Sequence, residues 1–297
     1  MKSYLALDIG GTYVKHGIVN GLGEIEGLDK FITPGSLEVL LEGITQLARN
    51  TKNIAGIAVS SPGAVSDSGV VYGSSAVKYM HGPNIKKLIA ERTGYSVFME
   101  NDAHCAAYAE LWQGAAKGKS DVMVMVIGTG IGGAVIKNGT IHKGANIHGG
   151  EFGYMLLTSD VRNSNDVWSR VASSKALVRK VANLKGMDPE YLTGEEIFEM
   201  VDQQDREVTQ IVDEWYHLLA IGIYNLQYIY DPEIILIGGG ISARQELIPK
   251  IREKLKGIVA AIDLAKITPS IEACHFRQNA NLLGAVYGYR KLYEELE

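Results

Sequence analysis

Apolar residues in the first part of the chain fall into short β-prone runs followed by longer helical stripes. The runs at 4–9 and 14–19 are separated by Gly10-Gly11, and Asn20-Gly21 closes the second run. A third run follows from Glu24-Ile25, so the pattern predicts three strands joined by tight turns. Behind Ser36, a candidate N-cap, leucine and isoleucine recur at the i, i+3, i+4 spacing of an amphipathic helix. Later runs predict a strand at 54–59, a helix at 85–89, a strand at 97–99 and a helix at 103–113. The order βββαβαβα favours parallel pairing of the later strands, because their helical crossovers are right-handed.

The same pattern begins again at Val122. Strands are predicted at 122–127, 131–136, 140–142 and 233–237, and helices at 167–184, 194–202, 206–230, up to 255, and 280–296. Two copies of a strand, glycine turn and strand predict two lobes with the ligand between them. We expect an N-terminal lobe at 1–117, joined by the C-terminal helix 280–297, and a C-terminal lobe at 118–279.

Composition excludes several classes of protein. The 297 residues include 29 Lys and Arg against 34 Asp and Glu, a formal charge of −5, so the basic field of a nucleic-acid-binding protein is missing. Cys105 and Cys274 are too few for a disulfide framework and suit a reducing compartment. The apolar run at the amino terminus is too short for a signal peptide, and the longest apolar stretch is too short to cross a membrane. We expect a cytoplasmic protein with no membrane or nucleic-acid partner.

Glycine is abundant: 34 of the 297 residues are glycine, about 11 %, against the ~7 % that is typical. It clusters in turns that could bind phosphate. In DIGGT (residues 8–12), Gly10 and Gly11 let backbone N–H groups approach phosphate oxygens, and Thr12 adds a hydroxyl donor. Asp8 could hold a divalent cation through water. The alternative is a tight hairpin in which the aspartate only caps the turn.

Two further glycine-rich turns follow. GTGIGG (residues 128–133) has the spacing of a dinucleotide-binding motif, but that motif must open a helix and here a strand follows. It is therefore predicted to be a second phosphate-binding hairpin, with Gly128, Thr129, Gly130 and Gly132 as its candidate contacts. Gly238, Gly239 and Gly240 could let an adenine ring lie against bare backbone, or could only form a strand-to-helix turn.

One acidic motif could carry acid–base chemistry. Glu100-Asn101-Asp102 follows a predicted strand and begins a helix, where a carboxylate could accept a proton from a substrate hydroxyl. The alternative is that Asp102 is an ordinary helix N-cap. No His-Glu-x-x-His, Ser-His-Asp or Cys-His arrangement stands out in the sequence.

Taken in this order, the motifs resemble those of the ROK family of bacterial sugar kinases and related repressors, within the hexokinase–actin ATPase fold. The residues that carry the resemblance are DIGGT (8–12), SSPG (60–63), END (100–102), GTGIGG (128–133), GGEFGY (149–154) and IGGG (237–240). Each motif is weak alone, but the ordered set spans nearly the whole chain.

The resemblance implies an α/β protein of two ribonuclease H-like lobes with a central cleft that binds Mg·ATP and a sugar. It implies that Asp102 is the base that accepts the proton of the attacking sugar hydroxyl. Expected sugar contacts are Ser61, Gly63, Asn101, Glu151 and Tyr154. The phosphates would be bound by two loops, Gly10, Gly11 and Thr12 in the first and Gly128, Thr129, Gly130 and Gly132 in the second. The adenosine would contact Gly238, Gly239 and Gly240, and Asp8 would contact magnesium through water. A homodimer is also expected.

The chain departs from the family where many members bind structural zinc. Tyr154 replaces the family's histidine, residues 156–170 contain no cysteine, and Ser169 aligns with the family's final glutamate. We therefore expect no zinc. Both changed positions lie towards the C1–C2 end of the sugar, which favours a β-glucoside such as cellobiose, phosphorylated on its 6-hydroxyl. The alternatives are N-acetylmannosamine and glucose.

Two other classes of protein compete with a kinase. A sugar-sensing transcription regulator of this family would carry a helix-turn-helix segment ahead of DIGGT, whereas Asp8 stands near the start of this sequence. A non-catalytic fold of the actin or chaperone type would not need Asn101, Asp102 and Glu151, which suit recognition of a polyol. We therefore favour the kinase.

Overall fold

The computed structural model describes residues 1–73, 75–276 and 279–294, and its first half is built on a five-stranded mixed sheet. The elements are β1 (Ser3–Ile9), β2 (Tyr13–Asn20), β3 (Ile25–Ile32), α1 (Leu37–Asn50), β4 (Ile54–Ser61), β5 (Ala64–Val65), β6 (Val71–Tyr72), α2 (Ile85–Thr93), β7 (Val97–Asn101) and α3 (Asp102–Gln113). The sheet order is β3-β2-β1-β4-β7. The first three strands pair antiparallel, and β1, β4 and β7 pair parallel, which confirms the predicted crossovers.

Local signals explain the first helix well. The Ser36 hydroxyl accepts a hydrogen bond from the Val39 amide at the start of α1, as an N-cap does. Leu40, Leu41 and Ile44 are fully or almost fully buried along one side of the helix. They join the apolar core that also contains side chains of β1 and β4.

The second half repeats the design of the first sheet. Its elements are β8 (Val122–Ile127), β9 (Ile131–Lys137), β10 (Thr140–Ile141), α4 (Trp168–Ala172), α5 (Ser174–Lys185), α6 (Gly194–Asp202), α7 (Arg206–Tyr230), β11 (Ile234–Gly238), α8 (Leu247–Ala261), β12 (Ile271–Ala273) and α9 (Ala280–Tyr293). The sheet order is β10-β9-β8-β11-β12, again with two antiparallel pairings followed by two parallel ones. The two matching sheets are the repeated units expected from the sequence pattern, and they agree with the ribonuclease H-like lobes that the family resemblance implies.

The chain divides into two compact units. The first unit comprises Met1–Lys117, Lys143–His148 and the described C-terminal residues 279–294, and the second comprises Gly118–His142 and residues 149–276. In the first unit, α9 packs against α3 so closely that a Cβ at Gly284 would overlap the carbonyl oxygen of Cys105. The core of the second unit is centred on the fully buried Trp168. Among the described residues, no helix is both long and apolar enough to cross a bilayer.

Several element boundaries differ from prediction. The single helix expected over 167–184 is interrupted at Ser173, whose extended backbone ends α4 and whose hydroxyl accepts from the Ala176 amide to cap α5. The helix expected to end at 255 continues to Ala261. The short strands β5, β6 and β12 were not predicted at all. Helix α9 ends at Tyr293, and residues 295–297 lie outside the described part of the chain.

Candidate active site

The turn between β7 and α3 carries the predicted base and its neighbour. Asn101 is the N-cap of α3: its Oδ1 accepts hydrogen bonds from the amides of Ala103 (2.9 Å) and His104 (3.2 Å). Its Nδ2 donates to the carbonyl oxygen of Gly63 at 3.0 Å. The capping role that competed with catalysis for Asp102 therefore belongs to Asn101. Asn101 also ties the SSPG loop to the start of α3.

Asp102 is the first residue of α3 and is partly buried. Its Oδ1 accepts from the Ala103 amide at 2.8 Å. Burial raises the pKa of the Asp102 carboxyl and the negative charge of Asp8 raises it further, against the lowering effect of the Ala103 amide. A carboxylate with a raised pKa is a stronger base, as proton abstraction from a hydroxyl requires.

Asp8 lies near the end of β1, within the same unit as Asp102. Its Oδ1 accepts from the hydroxyl of buried Ser60 (2.9 Å) and from Nδ2 of Asn281 on α9 (3.0 Å). Mg²⁺ is commonly bound through one or two carboxylates plus waters and substrate phosphates, so Asp8 suits the predicted water-mediated contact. Asn281 was not identified from the sequence, because nothing in its neighbourhood marks it as the partner of a residue so distant along the chain.

The first glycine turn is a closed hairpin between β1 and β2. Gly10 donates its amide to the Tyr13 carbonyl (2.9 Å), and its own carbonyl accepts from the Thr33 hydroxyl (2.6 Å). A Cβ at Gly11 would come within 2.7 Å of the Ala76 Cβ, so the backbone approach requires glycine here. Thr12 is exposed at the turn, where its hydroxyl is available to a ligand.

The SSPG loop follows β4. Ser61 is buried, and its hydroxyl donates to the Pro62 carbonyl at 3.2 Å. Gly63 has φ +94°, in the left-handed region that favours glycine. The structure thus brings Ser61, Gly63, Asn101 and Asp102 together at the ends of neighbouring parallel strands β4 and β7.

The second glycine turn, in the second unit, joins antiparallel strands β8 and β9 and not a strand and a helix. This confirms that the motif is no dinucleotide-binding turn. The Gly128 amide donates to the Gly130 carbonyl at 2.9 Å, and Thr129 is exposed at the tip. The Ile131 amide donates to the Ser169 hydroxyl at 2.8 Å, so the serine that aligns with the family's final glutamate supports this turn.

The third glycine turn borders a cavity in the same unit. Gly238 ends β11, and Gly239 has φ +94°, at a point where a Cβ would overlap the Ile127 carbonyl. After it comes a 3-10 turn (Gly240–Ala243), and α8 begins at Leu247, so the glycines lie in the predicted turn between a strand and helical structure. The cavity measures about 590 Å³ and is lined by Gly128, Gly240, Phe198, Arg244 and Glu195 among others. Its size suits a nucleoside.

The cavity has a built wall. The Arg244 guanidinium lies 3.7 Å from the centroid of the Phe198 ring, a cation–π contact. Arg244 Nε also donates to Glu246 at 2.6 Å, which fixes the guanidinium plane. Phe198 and Arg244 were not singled out from the sequence, because each is an ordinary helix or loop residue until the fold brings them together.

Glu151 precedes a short 3-10 turn (Phe152–Tyr154) of the second unit, and Tyr154 is the last residue of that turn. Gly150, with φ +95°, packs against the Gly133 carbonyl of β9, which places this loop directly on the second glycine hairpin. Glu151 is exposed, and 70 % of Tyr154 is exposed, although Phe152 between them is buried. Both side chains are thus available to a ligand.

Comparison with known proteins agrees with this arrangement. The ROK family model matches residues 4–291. A β-glucoside kinase of Listeria monocytogenes is 36 % identical over 289 residues, 96 % of each chain. The crystal structure of a ROK family protein from Streptococcus pneumoniae in complex with sucrose has 33 % identity and a TM-score of 0.93, covering 99 % of this chain and 100 % of that one.

A more distant structural neighbour was solved with both a sugar and a nucleotide bound. The ROK family glucokinase from Streptomyces griseus, in complex with glucose and AMPPNP, is 25 % identical with a TM-score of 0.75, covering 95 % of this chain and 97 % of that chain. The chain described here belongs to the ROK family. Its fold is the actin-like ATPase fold of the ROK sugar kinases.

Proposed function

We propose that this protein transfers the γ-phosphoryl group of Mg·ATP to the 6-hydroxyl of the glucosyl unit of a β-glucoside such as cellobiose. The coarser activity is that of its relatives: it is an ATP-dependent sugar kinase. The observation that carries the choice of sugar is Tyr154, whose ring is exposed beside Glu151 where many family members hold a zinc-binding histidine. An aromatic surface at the C1 end of a sugar suits a second, stacked sugar ring or another aglycone. The β-glucoside kinase name of the Listeria relative supports the same choice.

We assign Ser61, Gly63, Asn101 and Asp102 of the first unit to the sugar and the base, and the cavity beside the third glycine turn, in the second unit, to the nucleoside. Asp102 accepts the proton of the attacking hydroxyl, for which its raised pKa suits it. Asn101 fixes Asp102 by capping α3 and, with Ser61 and Gly63, binds the sugar. Glu151 and Tyr154 would hold the other end of the sugar.

The nucleotide is held mainly by backbone. The Gly10 and Gly128 amides are used within their own hairpins, so the phosphates would be met by the Gly11 and Gly130 amides and by the exposed Thr12 and Thr129. Gly238–Gly240 with the adjoining cavity would accept the adenosine. Asp8 would hold magnesium through water, and the ion would neutralise charge that develops on the transferred phosphoryl group. Most of the rate enhancement then comes from positioning and charge stabilisation, with general-base help from Asp102.

The test is a sugar panel scored by coupled ADP production, with cellobiose, glucose and N-acetylmannosamine as the principal arms and no sugar as the blank. We expect the highest kcat/KM with cellobiose and ADP release that depends on sugar. A Tyr154→Ala variant should lose more kcat/KM with cellobiose than with glucose, since only the disaccharide reaches the ring. Glucose or N-acetylmannosamine as the best substrate, with no selective effect of Tyr154→Ala, would overturn the β-glucoside assignment.

Product analysis settles the position of transfer. Phosphorus–proton NMR correlation of the product should show the phosphate on C6 of the non-reducing glucosyl unit. A sugar-binding sensor would bind cellobiose without releasing ADP. The homodimer and the cytoplasmic location stay predictions; light scattering coupled to gel filtration measures the former.

A further inference from the structure

Lys143 has no assigned role, yet its ammonium is ion-paired with two carboxylates, one of which, Glu100, lies two residues before the proposed base. It opens the segment Lys143–His148, which belongs to the first unit although it follows β10 of the second. Its ammonium lies 2.8 Å from Glu100 Oε2, 2.8 Å from Asp67 Oδ1 and 3.1 Å from the Val65 carbonyl oxygen. Its side chain is only 18 % exposed, and that of Glu100 is 4 % exposed.

Glu100 connects this lysine to the turn that carries the base. Its Oε1 accepts from the Asn101 amide at 2.8 Å and lies 3.1 Å from Nδ1 of His104, in the first turn of α3. The buried carboxylate therefore contacts Lys143 with one oxygen and the Asn101–Asp102 turn with the other.

The other contacts of Lys143 are on the β5–β6 hairpin. Val65 is in β5, and Asp67 follows it in the hairpin loop. This hairpin begins directly after Gly63, whose carbonyl accepts from Asn101 Nδ2. Lys143 and Asn101 thus make two separate polar connections, or ties, between the region of the β5–β6 hairpin and the turn that holds Asp102.

Glu100 and Lys143 each keep the other in its charged form. Burial alone would raise the pKa of the Glu100 carboxyl, but His104 and Lys143 hold it below its ordinary value. Burial alone would lower the pKa of the Lys143 ammonium, but Glu100 and Asp67 raise it. A buried ion pair is no more stable than a well-packed apolar replacement, so stability alone gives little reason for one here.

We propose that Lys143 is a positioning residue of the phosphoryl transfer: it fixes the Glu100–Asp102 turn and the β5–β6 hairpin in the arrangement in which Asp102 meets the sugar hydroxyl. The proposal rests on the kinase function proposed above. Misplacement of a reacting group by about 1 Å can cost ~100-fold in rate, so loss of one of two ties has a measurable effect.

The test compares Lys143→Met with Lys86→Met. Lys86 is a matched control, because it lies beside the same hairpin and donates to the Asp67 carbonyl at 3.3 Å, but its ammonium is not ion-paired with Glu100 in the structure. In Lys143→Met we expect kcat with the sugar to fall at least tenfold while KM for ATP stays within twofold. Lys143→Arg should recover much of the loss, and Lys86→Met should match the wild type.

A purely structural role predicts a different result. Folded Lys143→Met protein with kcat and sugar KM within twofold of the wild type would overturn the proposal. If the buried Glu100 charge prevents folding, the double variant Lys143→Met/Glu100→Gln removes both charges, and the new amide side chain keeps an acceptor for the Asn101 amide. That variant should fold and still be at least tenfold slow, because the tie to the hairpin is missing; wild-type kinetics in it would refute positioning.

A readout without turnover separates this proposal from the kinase function. By hydrogen exchange, Lys143→Met or the double variant should exchange faster than wild type at residues 64–72 and at the Ala103 and His104 amides, which Asn101 caps. Unchanged exchange there overturns the positioning role whatever the activity. Absence of sugar-dependent ADP release in the wild type itself would instead count against the proposed function.

Discussion

Replacing Asp102 with asparagine separates its chemical role from its structural one. The Ala103 amide is the hydrogen-bond donor to Asp102 Oδ1, and an asparagine oxygen can accept the same bond. The cap of α3 is Asn101 and is untouched by the substitution. The variant therefore keeps the local fold and loses only the ability to accept a proton at neutral pH.

The expected loss follows from the size of general-base catalysis. Proton transfer by a positioned side chain contributes ~10²–10⁴-fold, which is about 3–5 kcal/mol of activation free energy at ~1.36 kcal/mol per decade. We expect kcat of Asp102→Asn to fall by at least ~100-fold, with a smaller change in the KM for sugar, since Asn101, Ser61 and Gly63 are retained.

The pH dependence supplies an independent check. Because the pKa of Asp102 is raised in the folded protein, the acidic limb of kcat/KM in the wild type should lie above the pKa of an unperturbed aspartate, and should disappear in the variant. Stability should move the other way from activity. A carboxyl with a raised folded-state pKa destabilises the fold as the pH rises from its unfolded-state value through its folded-state value. The Asp102→Asn protein should thus melt at or above the wild-type temperature at pH 7, and the difference should vanish at low pH.

The assay is coupled ADP production under saturating ATP, with thermal melts of the same samples. Asp213→Asn is the control: it removes an exposed carboxylate on α7 that is ion-paired with Lys254. Its kcat should equal the wild-type value and its melting temperature should change little, because a surface ion pair contributes about 0–1 kcal/mol. Unchanged kcat in Asp102→Asn would remove Asp102 from the role of base. A lost activity accompanied by an equally large drop in melting temperature would show that the residue acts through folding instead.

Three further outcomes are expected. Gly284→Ala should lower the free energy of unfolding by about 3 kcal/mol in denaturant, since the new methyl group would overlap the Cys105 carbonyl. The control Gly257→Ala, in open space on α8, should be neutral or stabilising. Equal effects of the two substitutions would contradict the packing argument. Phe198→Ala removes the ring beneath Arg244 and should raise the KM for ATP about fivefold, as expected for the loss of ~1 kcal/mol of cation–π contact. The KM for sugar should change little. An unaltered KM for ATP would place the adenosine elsewhere. Elemental analysis should find far less than one equivalent of zinc, and the described residues hold no cluster of three or more His, Cys, Asp or Glu suited to a metal ion; one tightly bound equivalent would refute the prediction.

The sequence predicted elements best where the signals are local. The helix Arg206–Tyr230 has its predicted bounds, because Asp205 caps its start and Asp231-Pro232 ends it. The interruption at Ser173 was missed, because the helical spacing of apolar residues over 167–184 continues through the break between α4 and α5. The strand β12 was missed because three residues carry too little pattern, and their pairing with β11 depends on chain far away.

The site divides in the same way. The glycine turns and the Asp102 turn could be proposed from the sequence, because the residues of each turn are consecutive in the chain. Asn281 and Lys143 were not, because their importance comes from Asp8 and Glu100, which neighbour them only in the folded chain. Sequence spacing also could not decide between Asn101 and Asp102 as the helix cap, which depends on backbone geometry at one residue.

The position of α9 has a consequence for how the protein is made. This helix packs on α3 and contacts β1, β4 and β7, and the Tyr289 hydroxyl donates to the Ala55 carbonyl at 3.0 Å. These partners precede α9 in the chain and leave the ribosome before it, so the first unit keeps an uncovered apolar face until α9 has emerged. The intervening residues of the other half have all emerged by then. Chains that stop shortly before residue 280 and have been released from the ribosome should therefore contain one protease-resistant half and one that chaperones still bind.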